Sequence, residues 1–236
     1  MSESHARTLA STCRRLHAAG WVANHDGNVS CRLDGGRFLA SPTAVSKAAV
    51  ESDMVVTLDA EGKVVAGHRR VFSEISLHLA CFRARPDVAW VLHAHPPTAT
   101  GWAVAGLEFF TPPFLREPVV SLGDRVPCIA EADLAATIAT VDAVLLRNHG
   151  VLTVGPDAET ALLRMELVEH LARIALVARQ LGGALPLPAE DVSQALAARG
   201  KAGLIPTSAA VSSTPSSTGP RPDLDAVVRA AMHRAG

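Results

Sequence analysis

Apolar and polar positions recur along this chain in two rhythms, one helical and one extended. Over residues 5–19, Leu9, Cys13 and Leu16 fall at helical spacing and Gly20 supplies a stop, which predicts a helix. GNVSCRL (27–33) reads as a strand, DGG (34–36) as a hairpin turn and RFLAS as the returning strand. MVVTLDAEGKVVAG (54–67) repeats strand, turn and strand. In SEISLHLACFRAR (73–85), Ile75, Leu79 and Phe82 make one apolar face and Ser73 is placed to cap, predicting a second helix. DVAWVLHAH (87–95) predicts a strand, and a Pro-Pro pair follows it. EADLAATIATV (131–141) predicts a helix, and AVLLRNHGVLTVG (143–155) a strand, a tight Asn-His-Gly turn and a second strand. DAETALLRMELVEHLARIALVARQLG (157–182) predicts a long helix that Gly182 and Gly183 end. Helices alternate with strands, yet hairpins are frequent. An α/β layered domain with a mixed or antiparallel sheet fits better than a doubly wound parallel one.

From 206 to 222 the composition shifts to Ser, Thr, Pro and Gly, as in segments without fixed structure, and 223–234 reads as a short helix. The expected organisation is a domain over 1–205 and a tail over 206–236. At 48% hydrophobic and 19% charged, the 236 residues suffice for one substantial core. A net charge of −1 offers no footprint for nucleic acid, and no apolar run reaches the length of a membrane span. The N-terminus lacks the apolar segment of a secretory signal. Cys13, Cys31, Cys81 and Cys128 are scattered without a CxxC pair, so a reducing cytoplasm is the expected location. The chain contains no Tyr.

The candidate chemistry lies in VLHAHPP (91–97). Side chains alternate along a strand, so His93 and His95 share a face and can chelate one divalent ion. The plainer alternative is two hydrogen-bonded polar residues at a strand end. His149, in RNHG, also closes an apolar strand, with Gly150 permitting a tight turn. Three such histidines favour a three-imidazole metal site with an open position for water or substrate. Zinc is the default, and manganese, iron or cobalt suit the same ligands. Glu74 opens a predicted helix, where an acidic residue is favoured by the helix dipole alone. Beside a metal, the same carboxylate can be a ligand and a proton acceptor. Ser73 and the amides of that helix start could bind an anion. DGNVS (26–30) is either an ordinary turn or an anion-binding backbone with the Asn28 side chain. SPTAVSK (41–47) adds Thr43, Ser46 and Lys47 as donors, although Lys47 could be a solvated surface residue. His25 and Asp26, just before the Gly-Asn turn, either face the substrate or are ordinary loop residues, the second being favoured, and His68 and His78 read as structural or surface ones.

The order of these motifs, GN-V-S-x-R, SPT-x-x-x-K, S-E at a helix start, HAHPP and NHG, resembles the class II aldolase/adducin family over about residues 5–200. The resemblance implies a three-layer α/β/α domain with a central, mainly antiparallel sheet. It implies homotetramers with active sites at subunit interfaces and a metal-dependent aldolase acting on a small ketose phosphate or related hydroxy-keto compound through an enediolate. Epimerase, dehydratase and decarboxylase chemistry and the non-catalytic adducin head belong to the same family. His93, His95 and His149 match the metal ligands, and Glu74 matches the carboxylate that holds the metal and then moves protons. Gly27, Asn28, Thr43 and Ser73 match positions that bind the substrate phosphate.

Three departures bear on the substrate. Ala44 follows Thr43 where the family often has glycine, Phe72 precedes Ser73 where it often has a second serine, and the tyrosine acid of fuculose-type aldolases has no counterpart. Arg116, in TPPFLREP, falls near that place. It would bind an anion rather than give up a proton.

Overall fold

In the computed structural model, which describes residues 2–204, helix α1 (Ser2–Ala18) leads to strands β1 (Asn28–Arg32) and β2 (Phe38–Ala40), joined through a 3-10 turn at Asp34–Gly36. The hairpin of β3 (Val56–Leu58) and β4 (Val64–Ala66) precedes α2 (Ile75–Ala84). Strand β5 (Trp90–Ala94) is followed by α3 (Pro97–Ala105) and α4 (Arg116–Leu122). Then come β6 (Cys128–Ile129), α5 (Leu134–Ile138), β7 (Ala143–Leu146), β8 (Gly150–Gly155), α6 (Ala158–Gln180) and α7 (Ala189–Lys201). The expected domain boundary at 205 and the tail lie outside the described residues. No helix among the described residues is long and apolar enough to cross a membrane.

The strands form one sheet in the order β4-β3-β2-β1-β5-β8-β7-β6. Every neighbouring pair is antiparallel except β6 with β7. Alternate residues along each strand feed opposite faces. Leu39, Leu92, Ala94, Leu145 and Val151 pack with α1, α3, α4, α6 and α7. Phe38, Ala40, Val91, Val144, Leu146 and Leu152 pack with α2 and α5. Two cores on either side of a mainly antiparallel sheet make the expected α/β/α sandwich.

The apolar spacing does not announce α3, α4 or α7. The Pro-Pro pair that ends β5 also starts α3, because proline at the first helical position sacrifices no hydrogen bond. Predicted helix 131–141 is split into a 3-10 turn at Glu131–Asp133 and the single turn of α5. Helix α2 starts at Ile75, so Glu74 rather than Ser73 occupies the N-cap position. No side chain caps that end. Ala44 adopts the left-handed φ of 56°. The loop therefore keeps a glycine-like backbone despite its Cβ, at a cost of roughly 1–2 kcal/mol.

A polar cluster is buried around Asp142. Asp142, just before β7, accepts from Arg85 Nη2 at 3.0 Å, from Arg164 Nη2 at 2.8 Å and from Arg199 Nη2. These side chains come from three separate helical segments: Arg85 caps α2, Arg164 lies in α6 and Arg199 in α7. Arg199 Nη1 also donates to the carbonyls of Val120 and Ser121 at 2.9 and 2.8 Å, tying α7 to α4.

Candidate metal and active site

The site forms where β5 ends and the β7–β8 turn begins. Asn28 lies directly opposite His93 in the β1–β5 register, and Ala94 opposite Val151 in the β5–β8 register. His95 falls one residue beyond β5, where its amide bonds the Trp21 carbonyl at 2.8 Å. His149 follows Asn148, whose φ of 57° makes the reversal. The left-handed turn residue is thus Asn148, and Gly150 has a different role. A Cβ at Gly150 would lie 2.3 Å from His95 Cδ2, 2.7 Å from the Ala94 carbonyl and 3.1 Å from His93 Cε1. Glycine there lets the imidazoles close together.

One nitrogen from each of His93, His95 and His149 lies within 4.8 Å of the others. The Nε2 atoms of His93 and His95 face each other at 3.1 Å. Each ring is oriented through its Nδ1. His93 Nδ1 bonds the Val151 carbonyl at 3.0 Å, His95 Nδ1 bonds Asp26 Oδ2 at 2.8 Å, and His149 Nδ1 bonds Glu131 Oε1 at 2.8 Å. Those partners only accept, so each Nδ1 carries the proton and, in the neutral rings, the Nε2 lone pairs converge. Two lone pairs at that distance repel unless a cation lies between them. Glu74 closes the group, with Oε1 3.2 Å from His149 Nε2 and Oε2 3.7 Å from His93 Nε2.

The electrostatics at this point pull in two directions. The Glu74 carboxyl is held down at about 2, chiefly by the hydrogen bond from His149, with burial opposing and His93 and Asn28 assisting. His149 is raised, mainly by the same bond to Glu74. Burial pushes the His93 imidazole down to about 3 despite the pull of Glu74.

The phosphate-binding candidates distribute unevenly. Gly27 has a φ of 67°, and a Cβ there would meet Val22 Cγ1 at 2.3 Å, so the approach to Asn28 requires glycine. Asn28 is buried and donates Nδ2 to Glu74 Oε2 at 2.7 Å. Thr43 is bonded through its amide to the Arg70 carbonyl, and Ser73 is exposed in the turn before α2. Lys47 is no solvated lysine. It is buried, its Nζ donates to the His25 carbonyl at 3.1 Å, and burial pushes its pKa down while Asp26 and Glu74 resist. Arg116 is not brought to the histidines of its own chain; it donates to Gln194 Oε1 at 3.0 Å on α7. Asp26, which reads as a loop residue, proves to orient His95, and Glu131 orients His149. Nothing in the local sequence around Glu131 signals that role.

The model of the Class II Aldolase and Adducin N-terminal domain family matches residues 7–176. The chain belongs to this family. Within it, a 5-methylthioribulose-1-phosphate/5-deoxyribulose-1-phosphate aldolase from Escherichia coli is 33% identical over 176 residues, 71% of this chain and 81% of that protein. An L-fuculose phosphate aldolase from Methanococcus maripaludis is 28% identical, covering 72% of this chain and 94% of its own. The crystal structure of YgbL from Escherichia coli superposes with a TM-score of 0.73 at 25% identity, covering 82% of this chain and 98% of that one. Family membership implies a divalent metal, and the donor set fits one: three imidazoles, each held through Nδ1 by an acceptor, whose Nε2 atoms converge.

Gly150→Ala tests this packing. The added methyl collides with His95 and a backbone carbonyl, so it should separate the imidazoles and weaken zinc affinity at least about tenfold. Competition with a chromogenic chelator measures this. Unchanged affinity would show that the glycine serves only the turn.

Proposed function

We propose that this protein is a metal-dependent class II aldolase, a carbon–carbon lyase that cleaves a small ketose 1-phosphate to dihydroxyacetone phosphate and an aldehyde. The observation that carries this is the convergence of His93, His95, His149 and Glu74 on one point, in a chain of this family. A divalent ion held by the three imidazoles, zinc by preference and manganese, cobalt or iron as alternatives, would supply Lewis-acid stabilisation of the negative charge that gathers on the substrate oxygens.

The remaining work falls to the chain's own groups. As the bond breaks, the hydroxyl on the departing carbon gives up its proton to become the aldehyde carbonyl, the bonding electrons stay on the carbon beside the substrate carbonyl, and a proton must be returned to that carbon. Glu74, at the mouth of the cluster, is the group placed to carry it. In neutral His149 the proton sits on Nδ1, shared with Glu131, and the donor that holds Glu74 lowest is gone. Asn28 remains as the donor that aims the carboxylate. Gly27, Asn28, Thr43 and Ser73 would orient the phosphate, and Lys47 would fix the loop beneath them. Held substrate contributes several kcal/mol through orientation. Arg116, paired outward to α7, would serve the site of a neighbouring subunit in a homotetramer. The four free thiols suit a reducing cytoplasm.

The test is dihydroxyacetone phosphate release from a panel holding L-fuculose, 5-deoxyribulose and 5-methylthioribulose 1-phosphates, with zinc- or manganese-loaded protein. One member should be cleaved, and Glu74→Gln should slow that reaction by about 10²–10⁴-fold. Absence of release across the panel, with metal bound, would move the assignment to epimerase or decarboxylase chemistry.

A further inference from the structure

A buried polar chain runs from the interior of the sheet to Glu74. Ser30 Oγ lies 2.6 Å from His78 Nδ1, His78 Nε2 lies 2.6 Å from Asn28 Oδ1, and Asn28 Nδ2 lies 2.7 Å from Glu74 Oε2. Ser30 and His78 have no exposed surface and Asn28 is 4% exposed. The direction of every hydrogen in this chain is forced. A carboxylate only accepts, so Asn28 must turn its amide nitrogen to Glu74 and its oxygen to His78. His78 must then donate from Nε2, which leaves Nδ1 to accept from the Ser30 hydroxyl. Burial keeps the ring neutral by pushing its pKa down to about 3. One ring proton is therefore present, and one arrangement satisfies all partners. In the reverse arrangement the Asn28 oxygen would face the carboxylate.

We propose that His78 is a positioning residue for proton transfer: through Asn28 it fixes the amide donor that aims and holds the Glu74 carboxylate. This inference rests on the aldolase reading of the site. Beyond Ser30 and Asn28, the His78 ring packs against Phe72, with centroids 4.9 Å apart. It lies one helical turn after Glu74 on α2, while Asn28 begins β1, so the chain also locks the helix to the sheet beside the site.

Two measurements test it in the zinc-loaded protein. Nitrogen-15 NMR of the wild-type histidines should find the His78 proton on Nε2; a proton on Nδ1 overturns the proposal outright, whether or not any variant folds. Exchange of the dihydroxyacetone phosphate C–H with deuterium oxide then reads the proton-transfer step without an aldehyde. His78→Leu should slow exchange and kcat about 10–100-fold, with KM and zinc content unchanged. His78→Gln, which restores a donor and an acceptor in line, should recover most of the loss. A folded His78→Leu with wild-type exchange, or one altered only in KM, refutes the role. If the wild-type protein itself shows no zinc-dependent exchange, it is the aldolase reading that fails, while the NMR result still judges the hydrogen-bond direction.

Discussion

Replacing Asp142 by alanine should destabilise the protein by about 3–5 kcal/mol or more, enough to leave much of the chain unfolded. The carboxylate is 1% exposed and is shared by three guanidinium groups: Arg85, Arg164 and Arg199, at 4%, 6% and 0% exposure. Without it, Arg85 retains Asp87, whose side chain is half exposed, and Arg164 keeps its Nη1 bond to the Val154 carbonyl at 2.7 Å. Three cations would then share a region from which water is excluded. Removing a single arginine is milder, since the carboxylate keeps two partners. Arg199→Met should therefore cost clearly less than Asp142→Ala and should act mainly by loosening α7. Urea unfolding of the metal-free proteins measures both. If Asp142→Ala lies within about 1 kcal/mol of wild type, the cluster is incidental.

The second large effect is on function rather than on folding. His93→Ala should lose bound metal, and its activity should fall about a thousandfold or more, since the metal supplies several kcal/mol at 1.36 kcal/mol per tenfold. The fold should survive. The ring sits at a strand end, its removal leaves the β1–β5 and β5–β8 ladders intact, and it abolishes the repulsion between facing Nε2 atoms. Metal analysis of the purified variant, beside near-ultraviolet circular dichroism, separates the outcomes. Full metal occupancy would contradict the assignment of His93 as a ligand. Loss of metal together with loss of tertiary signal would show that the ring is needed for packing.

What could be seen in the sequence depended on how far apart the partners lie. The period of two in VLHAHPP places His93 and His95 together because strand geometry alone decides it. The hairpin before His149 is similarly local. The layered fold follows from hairpins mixed with amphipathic helices. The Asp142 cluster was not visible, because its three arginines come from distant parts of the chain and each reads as a surface charge. Lys47 is hidden for the same reason: only the packed fold shows that its ammonium lies under the 25–26 turn. Helix α3 carries apolar residues on several sides, so it lacks the stripe that would have marked it. Gly150 looked like a turn residue, and only the closeness of two imidazoles shows what its missing side chain makes possible.

Strand β5 lies inside the sheet, with β1 on one side and β8 on the other. Thr43, Ser73 and Asp26 instead stand on connecting segments around it. So do His95, His149 and Glu74, which leaves His93 as the ligand candidate carried by an interior strand. Changes in those loops therefore reach the imidazole geometry as well as its surroundings, and His93 is the part that the sheet holds fixed.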